Sequence, residues 1–144
     1  MPETSLRNKA LDFLARREYS VKELRNKISK YSDNSEEVGD VISELIKNNL
    51  LSDERYAQAV IQQKYQSGYG PNHIEMYLRE KGIEQELFNM HSDEFDWVES
   101  CKDLAKKKLR SKLPEVKEKE KILRFLSYRG FNYEIIKSAL NNLD

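Results

Sequence analysis

One pattern occurs three times in this chain of 144 residues, and it constrains the fold more than any other feature. The tripeptides Glu18-Tyr19-Ser20, Gly68-Tyr69-Gly70 and Gly130-Phe131-Asn132 align without gaps. In each, an aromatic residue precedes a residue suited to cap a helix N-terminus. Five positions after the aromatic stand Leu24, Ile74 and Ile136, and nine after it Ile28, Leu78 and Leu140. Eight before it stand Leu11, Ile61 and Leu123, and nine before it Ala10, Val60 and Ile122. The repeated unit is therefore a hairpin of two helices joined by a short turn that buries an aromatic ring. A unit of about 40–50 residues buries too little surface to be stable alone. Such units stack and share cores, so the expected fold is all-α, an elongated and curved array. Tyr19, Tyr69 and Phe131 are expected to be packing groups rather than binding groups.

The periodicity elsewhere is helical as well. Val38, Val41, Ile42, Leu45 and Ile46 follow the i, i+3, i+4, i+7, i+8 template, and Trp97, Cys101, Leu104, Ala105 and Leu109 form a second long stripe. Helix punctuation agrees with it. Ser20 with Glu23 reads as a capping box, and Asn34 with Glu37 has the same spacing. Ser52 precedes Asp53 and Glu54, Pro71 suits a first helical position, and Gly82 and Gly130 suit the position just past a helix end. These signals predict helices near 5–17, 20–31, 35–48, 52–67, 71–81, 84–90, 94–112, 115–129 and 132–143. Five Gly and three Pro are too few for a turn-rich β fold. No apolar run approaches the length of a membrane span, and the first residues lack the apolar stretch of a signal peptide. A lone cysteine, Cys101, makes no internal disulfide, so a cytoplasmic location is expected.

The net charge is zero, from 25 basic and 25 acidic residues, but the sum conceals a block pattern. Residues 1–30 carry +4, 31–58 carry −5, 83–100 carry −6 and 101–130 carry +7. Uneven solvated helix faces would produce such blocks, and so would a dipolar surface whose basic parts meet a phosphate backbone or an acidic protein. The acidic blocks are expected to keep affinity for free DNA modest.

Several runs of residues resemble the RecX family. Leu51-Ser52-Asp53-Glu54-Arg55-Tyr56-Ala57 and Ser67-Gly68-Tyr69-Gly70-Pro71, followed by Ile74, Leu78, Lys81 and Gly82-Ile83, are similar to its second repeat. Phe95-Asp96-Trp97 and the run from Ile122 through Phe131 resemble its third, and Leu14 through Ser20 with Glu23-Leu24-Arg25 and Lys27 its first. The resemblance covers residues 6–143 and is closest to the short proteobacterial form. It implies three tandem three-helix repeats, placed here at 1–50, 51–92 and 93–144. It also implies a negative regulator of the RecA recombinase that binds the RecA–DNA filament and inhibits its ATPase, strand-exchange and co-protease activities. Because residues 83–93 are short and acidic, the third helix of the second repeat is expected to be truncated or irregular.

The residues themselves do not suggest an enzyme. Cys101 lies on a core stripe without a neighbouring His, and His73 and His91 lack metal-ligand spacing. There is no Gly-rich phosphate loop and no GxSxG elbow. No cofactor, metal or membrane partner is expected. The binding candidates are cations: Arg16, Arg17, Arg25 and Lys27 in the first hairpin, Lys102, Lys106, Lys107 and Arg110 on the helix over 94–112, and Arg124 and Arg129 beyond it. Lys102, Lys106 and Arg110 share one helix face by their i, i+4, i+8 spacing. Tyr31, Tyr65 and Tyr77 are candidate interface anchors. The expected partner is a RecA nucleoprotein filament, with room for weak direct binding to single- or double-stranded DNA. The competing readings are a non-specific helical DNA-binding protein without a RecA target and a scaffold whose concave face binds another helix.

Overall fold

A computed structural model describes residues 5–109 and 116–143, and every regular element among them is helical. The helices are α1 (Leu6–Arg16), α2 (Val21–Ile28), α3 (Ser35–Lys47), α4 (Asp53–Gln66), α5 (Pro71–Glu80), α6 (Trp97–Leu109), α7 (Val116–Tyr128) and α8 (Tyr133–Asn141). Short 3-10 turns cover Ser29–Tyr31 and Gln85–Leu87. Two compact units form, Met1–Ala59 with Leu78–Phe88, and Val60–Tyr77 with Asn89–Asp144. α4 and α5 thus each contribute residues to both.

In the first unit, α1, α2 and α3 surround one core of Leu6, Ala10, Tyr19, Leu24, Ile28, Val38, Val41, Ile42, Leu45 and Leu51. The α1–α2 turn is locked by its own sequence. Ser20 accepts from the Glu23 N–H at 3.0 Å while Glu23 Oε1 accepts from the Ser20 N–H at 3.1 Å, the reciprocal capping box. Asp53 does more than charge the start of its own helix: its Oδ1 accepts from the Val21 N–H at 2.8 Å, satisfying a first-turn donor of α2. Arg55 reaches back from α4 to Glu18 at 3.2 Å and to Asn49 at 2.9 Å. Asn34 caps α3 through two N–H groups, but Glu37 turns instead to the Ser32 hydroxyl, so the expected reciprocal box is only half made.

In the second unit, α6 packs chiefly on α8 and also on α7, and Trp97, Cys101, Ala105, Ile122, Leu126, Phe131, Ile136 and Ala139 are buried. The α4–α5 turn meets the α7–α8 turn backbone to backbone. The Gly70 N–H donates to the Arg129 carbonyl at 2.8 Å, and the Asn72 N–H donates to the Gly130 carbonyl at 2.9 Å. There is no room for a side chain at either glycine. A Cβ on Gly70 would lie 2.5 Å from the Gly130 carbonyl group, and one on Gly130, whose φ is +104°, would lie 2.5 Å from His73.

Two predicted helices differ in the structure. The segment 84–90 is not a helix; it holds only the single 3-10 turn at Gln85–Leu87. Seven residues form too few hydrogen bonds to offset the cost of helix nucleation, and long-range contacts hold this stretch in other shapes. Met90 is buried, and its carbonyl accepts from the Trp97 indole N–H at 2.6 Å. The helix expected from residue 94 starts at Trp97, because Asp96 is its cap and accepts from the Glu99 N–H at 3.0 Å. Asp93 and Glu94 therefore lie in turns before the helix rather than in its first turn.

The crossing of the two glycine turns generates a prediction with an internal control. Gly70→Ala and Gly130→Ala should each cost more than about 2 kcal/mol, since backbone must move to admit the methyl. Gly39 lies within α3, and beyond its own helix no atom comes within 4 Å of where a Cβ would stand. Gly39→Ala should stabilise by about 0.5–1 kcal/mol, because Ala is the better helix former. Thermal or urea unfolding followed by circular dichroism would show the opposite signs.

Candidate partner-binding surface

The first-hairpin cations lie around an aromatic cluster. Phe13 is 6.0 Å from Tyr19 and 6.4 Å from Tyr31, ring centre to ring centre. The Arg17 guanidinium covers Tyr19 at 3.6 Å, Lys9 Nζ covers Tyr31 at 4.3 Å, and Lys27 Nζ lies 5.1 Å from the Phe13 ring. Such contacts hold long side chains against the surface while their charged heads stay wet. Arg17 is tied further, to the Glu18 carbonyl at 2.8 Å and to Glu23 at 3.4 Å. Glu23 also receives Lys81 at 3.4 Å. Burial opposes the Glu23 charge, but the Ser20 N–H, Arg17 and Lys81 outweigh it, so its carboxyl titrates below the usual range. Burial likewise opposes the Arg17 charge, and the bond and attraction to Glu23 raise it above its ordinary value. Arg16 and Arg25 are exposed, and neither forms an ion pair among the described residues.

On α6, Lys106 and Lys107 are exposed and Lys102 is half-buried, all without an ion pair among the described residues. Arg110 lies outside the described residues. Lys107 borders an open cleft with Asp96, Glu99 and Asp103, so its charge is locally balanced. Arg124 on α7 is exposed and unpaired in the same sense. Arg129 is committed to the glycine crossing: it donates to the Ser67 carbonyl at 3.2 Å and lies 4.6 Å over Tyr69 and 5.5 Å from Phe125. The sequence signal for that role was its place one residue before Gly130.

The aromatic residues divide similarly. Tyr19 and Phe131 are buried, as packing groups. Tyr69 is half-buried, stacked on His73 at 4.3 Å and flanked by Lys64 and Arg129. Of the three proposed anchors, Tyr31 is exposed. Tyr65 instead meets Phe95 at 5.1 Å and Trp97 at 5.2 Å edge-on, and its hydroxyl accepts from the Asp96 N–H. Tyr77 is half-buried beneath Lys64. Sequence reasoning passed over the two most exposed rings of α7 and α8, Tyr128 and Tyr133, since periodicity alone does not tell a helix-end tyrosine that packs from one that projects.

Cys101 is fully buried, and burial pushes its thiol up to about 12. A protonated, inaccessible thiol is not a nucleophile at neutral pH. Cys101 should therefore react with a thiol reagent such as Ellman's only at the rate of unfolding, and immediately in denaturant. Glu23 yields a pH prediction. Its folded pKa lies below the unfolded value, so its stabilisation is present above about pH 4.3 and disappears as pH falls through the folded pKa. Glu23→Gln keeps a capping side chain but removes the charge. It should lower the melting temperature at pH 7, with the deficit closing as pH falls through the folded pKa of Glu23.

Comparison with known proteins places the chain. Three family models match successive stretches: the first three-helix domain of RecX over residues 7–45, the second over 52–89 and the third over 94–140. A Regulatory protein RecX from Acinetobacter baylyi is 35% identical, the match spanning 98% of this chain and 89% of that protein. One from Neisseria meningitidis serogroup C is 34% identical over 98% of this chain and 92% of that protein. A crystal structure of RecX from Lactobacillus salivarius superposes with a TM-score of 0.83 at 26% identity, covering 96% of this chain and 94% of that one. A second crystal structure, of a regulatory protein RecX, gives 0.82 at 22% identity over 95% and 72% of the two chains, a likeness of fold alone. The fold is all-α, built of tandem three-helix repeats.

Proposed function

The chain belongs to the RecX family of regulatory proteins, and from that premise we propose that it is a negative regulator of the RecA recombinase, binding the RecA–DNA filament and lowering its ATPase, strand-exchange and co-protease activities. It works in the cytoplasm by binding rather than by catalysis. The observation that carries the reading is a set of exposed cations left without ion pairs among the described residues, Arg16 and Arg25 in the first hairpin, Lys106 on α6 and Arg124 on α7. Charges that the fold does not use internally are available to a partner of opposite sign. With Arg17, Lys27, Lys102, Lys107, Arg110 and Arg129 they compose the proposed interface, in which Arg17 and Arg129 act through groups they already hold in place.

Three repeats, at 1–50, 51–92 and 93–144, would each supply weak contacts. Joined in one chain, weak contacts gain by effective concentration, so the whole binds where each part would not. A filament offers repeated sites for such a chain, and occupancy across protomers would oppose either monomer addition or the motion coupled to ATP turnover. The acidic blocks oppose coating of free DNA by like-charge repulsion, so direct DNA binding is a minor contribution. A non-specific DNA-binding role is the second reading, favoured by the same cations.

Titration into a RecA–single-strand ATPase assay separates the two. Loss of turnover at protein well below the RecA concentration supports the RecA reading; loss only once the DNA is saturated supports the second. Arg25→Glu and Lys106→Glu should each raise the concentration for half-inhibition about three- to tenfold without loss of helical content. The effect should shrink in high salt, as expected for exposed charges.

A further inference from the structure

The α7–α8 hairpin presents two tyrosines that the fold does not use. Tyr128, the last residue of α7, is 87% exposed, and Tyr133, the first residue of α8, is 66% exposed. Neither ring stacks on another aromatic or lies under a cation among the described residues. This differs from Tyr31, whose ring is capped by Lys9. Burying these rings would remove a large apolar area from water, and here they are left open.

Cations stand at helical spacing from each ring. Arg124 precedes Tyr128 by four residues and shares its helix face; Lys121 lies one turn further back, at i−7. Lys137 follows Tyr133 by four on α8. All three are exposed and free of ion pairs among the described residues. Glu120 lies four residues before Arg124 and Glu134 three before Lys137, so each shares a helix face with one of these cations, but neither carboxylate forms an ion pair among the described residues. α7 and α8 pack on one another, so the turn carries both tyrosines on a single hairpin. Exposed large apolar side chains in this hairpin are tyrosines alone, with no exposed Leu, Ile or Met beside them among the described residues. Tyrosines also anchor protein interfaces, but these two have no exposed aliphatic side chains beside them among the described residues to complete an apolar interface core. Open rings set among cations instead fit a strand whose bases stack on the rings while its phosphates meet the charges.

We infer that the outer edge of the α7–α8 hairpin, with Tyr128 and Tyr133 as stacking platforms and Lys121, Arg124 and Lys137 as phosphate contacts, binds single-stranded nucleic acid through its bases. This deepens the minor nucleic-acid contact of the reading above and does not require RecA to be the target. It distinguishes single strands from duplexes, because only unpaired bases offer their faces to a ring.

The test is fluorescence anisotropy of a labelled 20-nucleotide oligothymidylate against an abasic oligomer of equal length, at one salt concentration. The wild-type chain should bind the thymidylate about fivefold or more tightly than the abasic strand, since base stacking adds to phosphate contact. Tyr128→Ala with Tyr133→Ala should abolish that preference and leave abasic binding unchanged, while Tyr128→Phe with Tyr133→Phe should retain it. Both positions are exposed, so helical content should not change, and circular dichroism checks this. Equal wild-type affinity for the two strands, no binding to either, or a preference that survives the double alanine variant would overturn the inference. The RecA reading is scored separately by ATPase inhibition with the same proteins. A chain that prefers thymidylate but leaves RecA turnover untouched would defeat only the RecA reading.

Discussion

The close approach of two backbone turns organises the second unit. At Gly70 and Gly130 the α4–α5 and α7–α8 turns are joined by hydrogen bonds with no side chain between them. Arg129, Tyr69, His73 and Lys64 then pack around that crossing as a stack of rings and cations. Because the separation is set by main-chain van der Waals contact, it tolerates little adjustment. The first unit joins its turn differently. Asp53 caps α2 from a distance in sequence, and Lys22 donates to the Glu80 carbonyl while its stem packs on Gly82. One recurring hairpin thus docks by backbone contact in one place and by side-chain bridges in another.

This division explains why the basic residues are not equivalent. Two cations beside the hairpin turns are drawn into the fold, whereas Arg16, at the end of α1, stays exposed. Arg17 is held by Tyr19 and Glu23, and Arg129 by Ser67 and Tyr69. Cations on outward helix faces, such as Arg25, Lys106 and Arg124, have no such partners among the described residues and remain in solvent. A docking surface assembled from the second group can be mutated with little effect on the fold. The first group would couple binding to stability, so its substitution effects carry both contributions.

The repeat, the helix types and most of the caps could be read from sequence because each depends on neighbours within about four residues. Ser20, Ser52 and Asn132 act as the N-caps their spacing implies, and Leu24, Ile74 and Ile136 are buried as the aligned repeats require. The stretch 84–90 could not be read so well. Its composition allows a helix, but Met90 and Trp97 settle its path through a contact that no local window contains. The same limit applied to Tyr65, whose exposure was decided by Phe95 and Trp97, some thirty residues along the chain.

Residue order was enough to establish an all-helical repeat chain, its core positions and the separation of basic from acidic segments, since periodicity, caps and charge are local properties of a chain. Which cations are used up internally, which tyrosines stand open, and why two glycines must face each other emerged from the packing alone. Those outcomes depend on which distant atoms compete for the same space and the same hydrogen bonds, and residue order does not contain that competition.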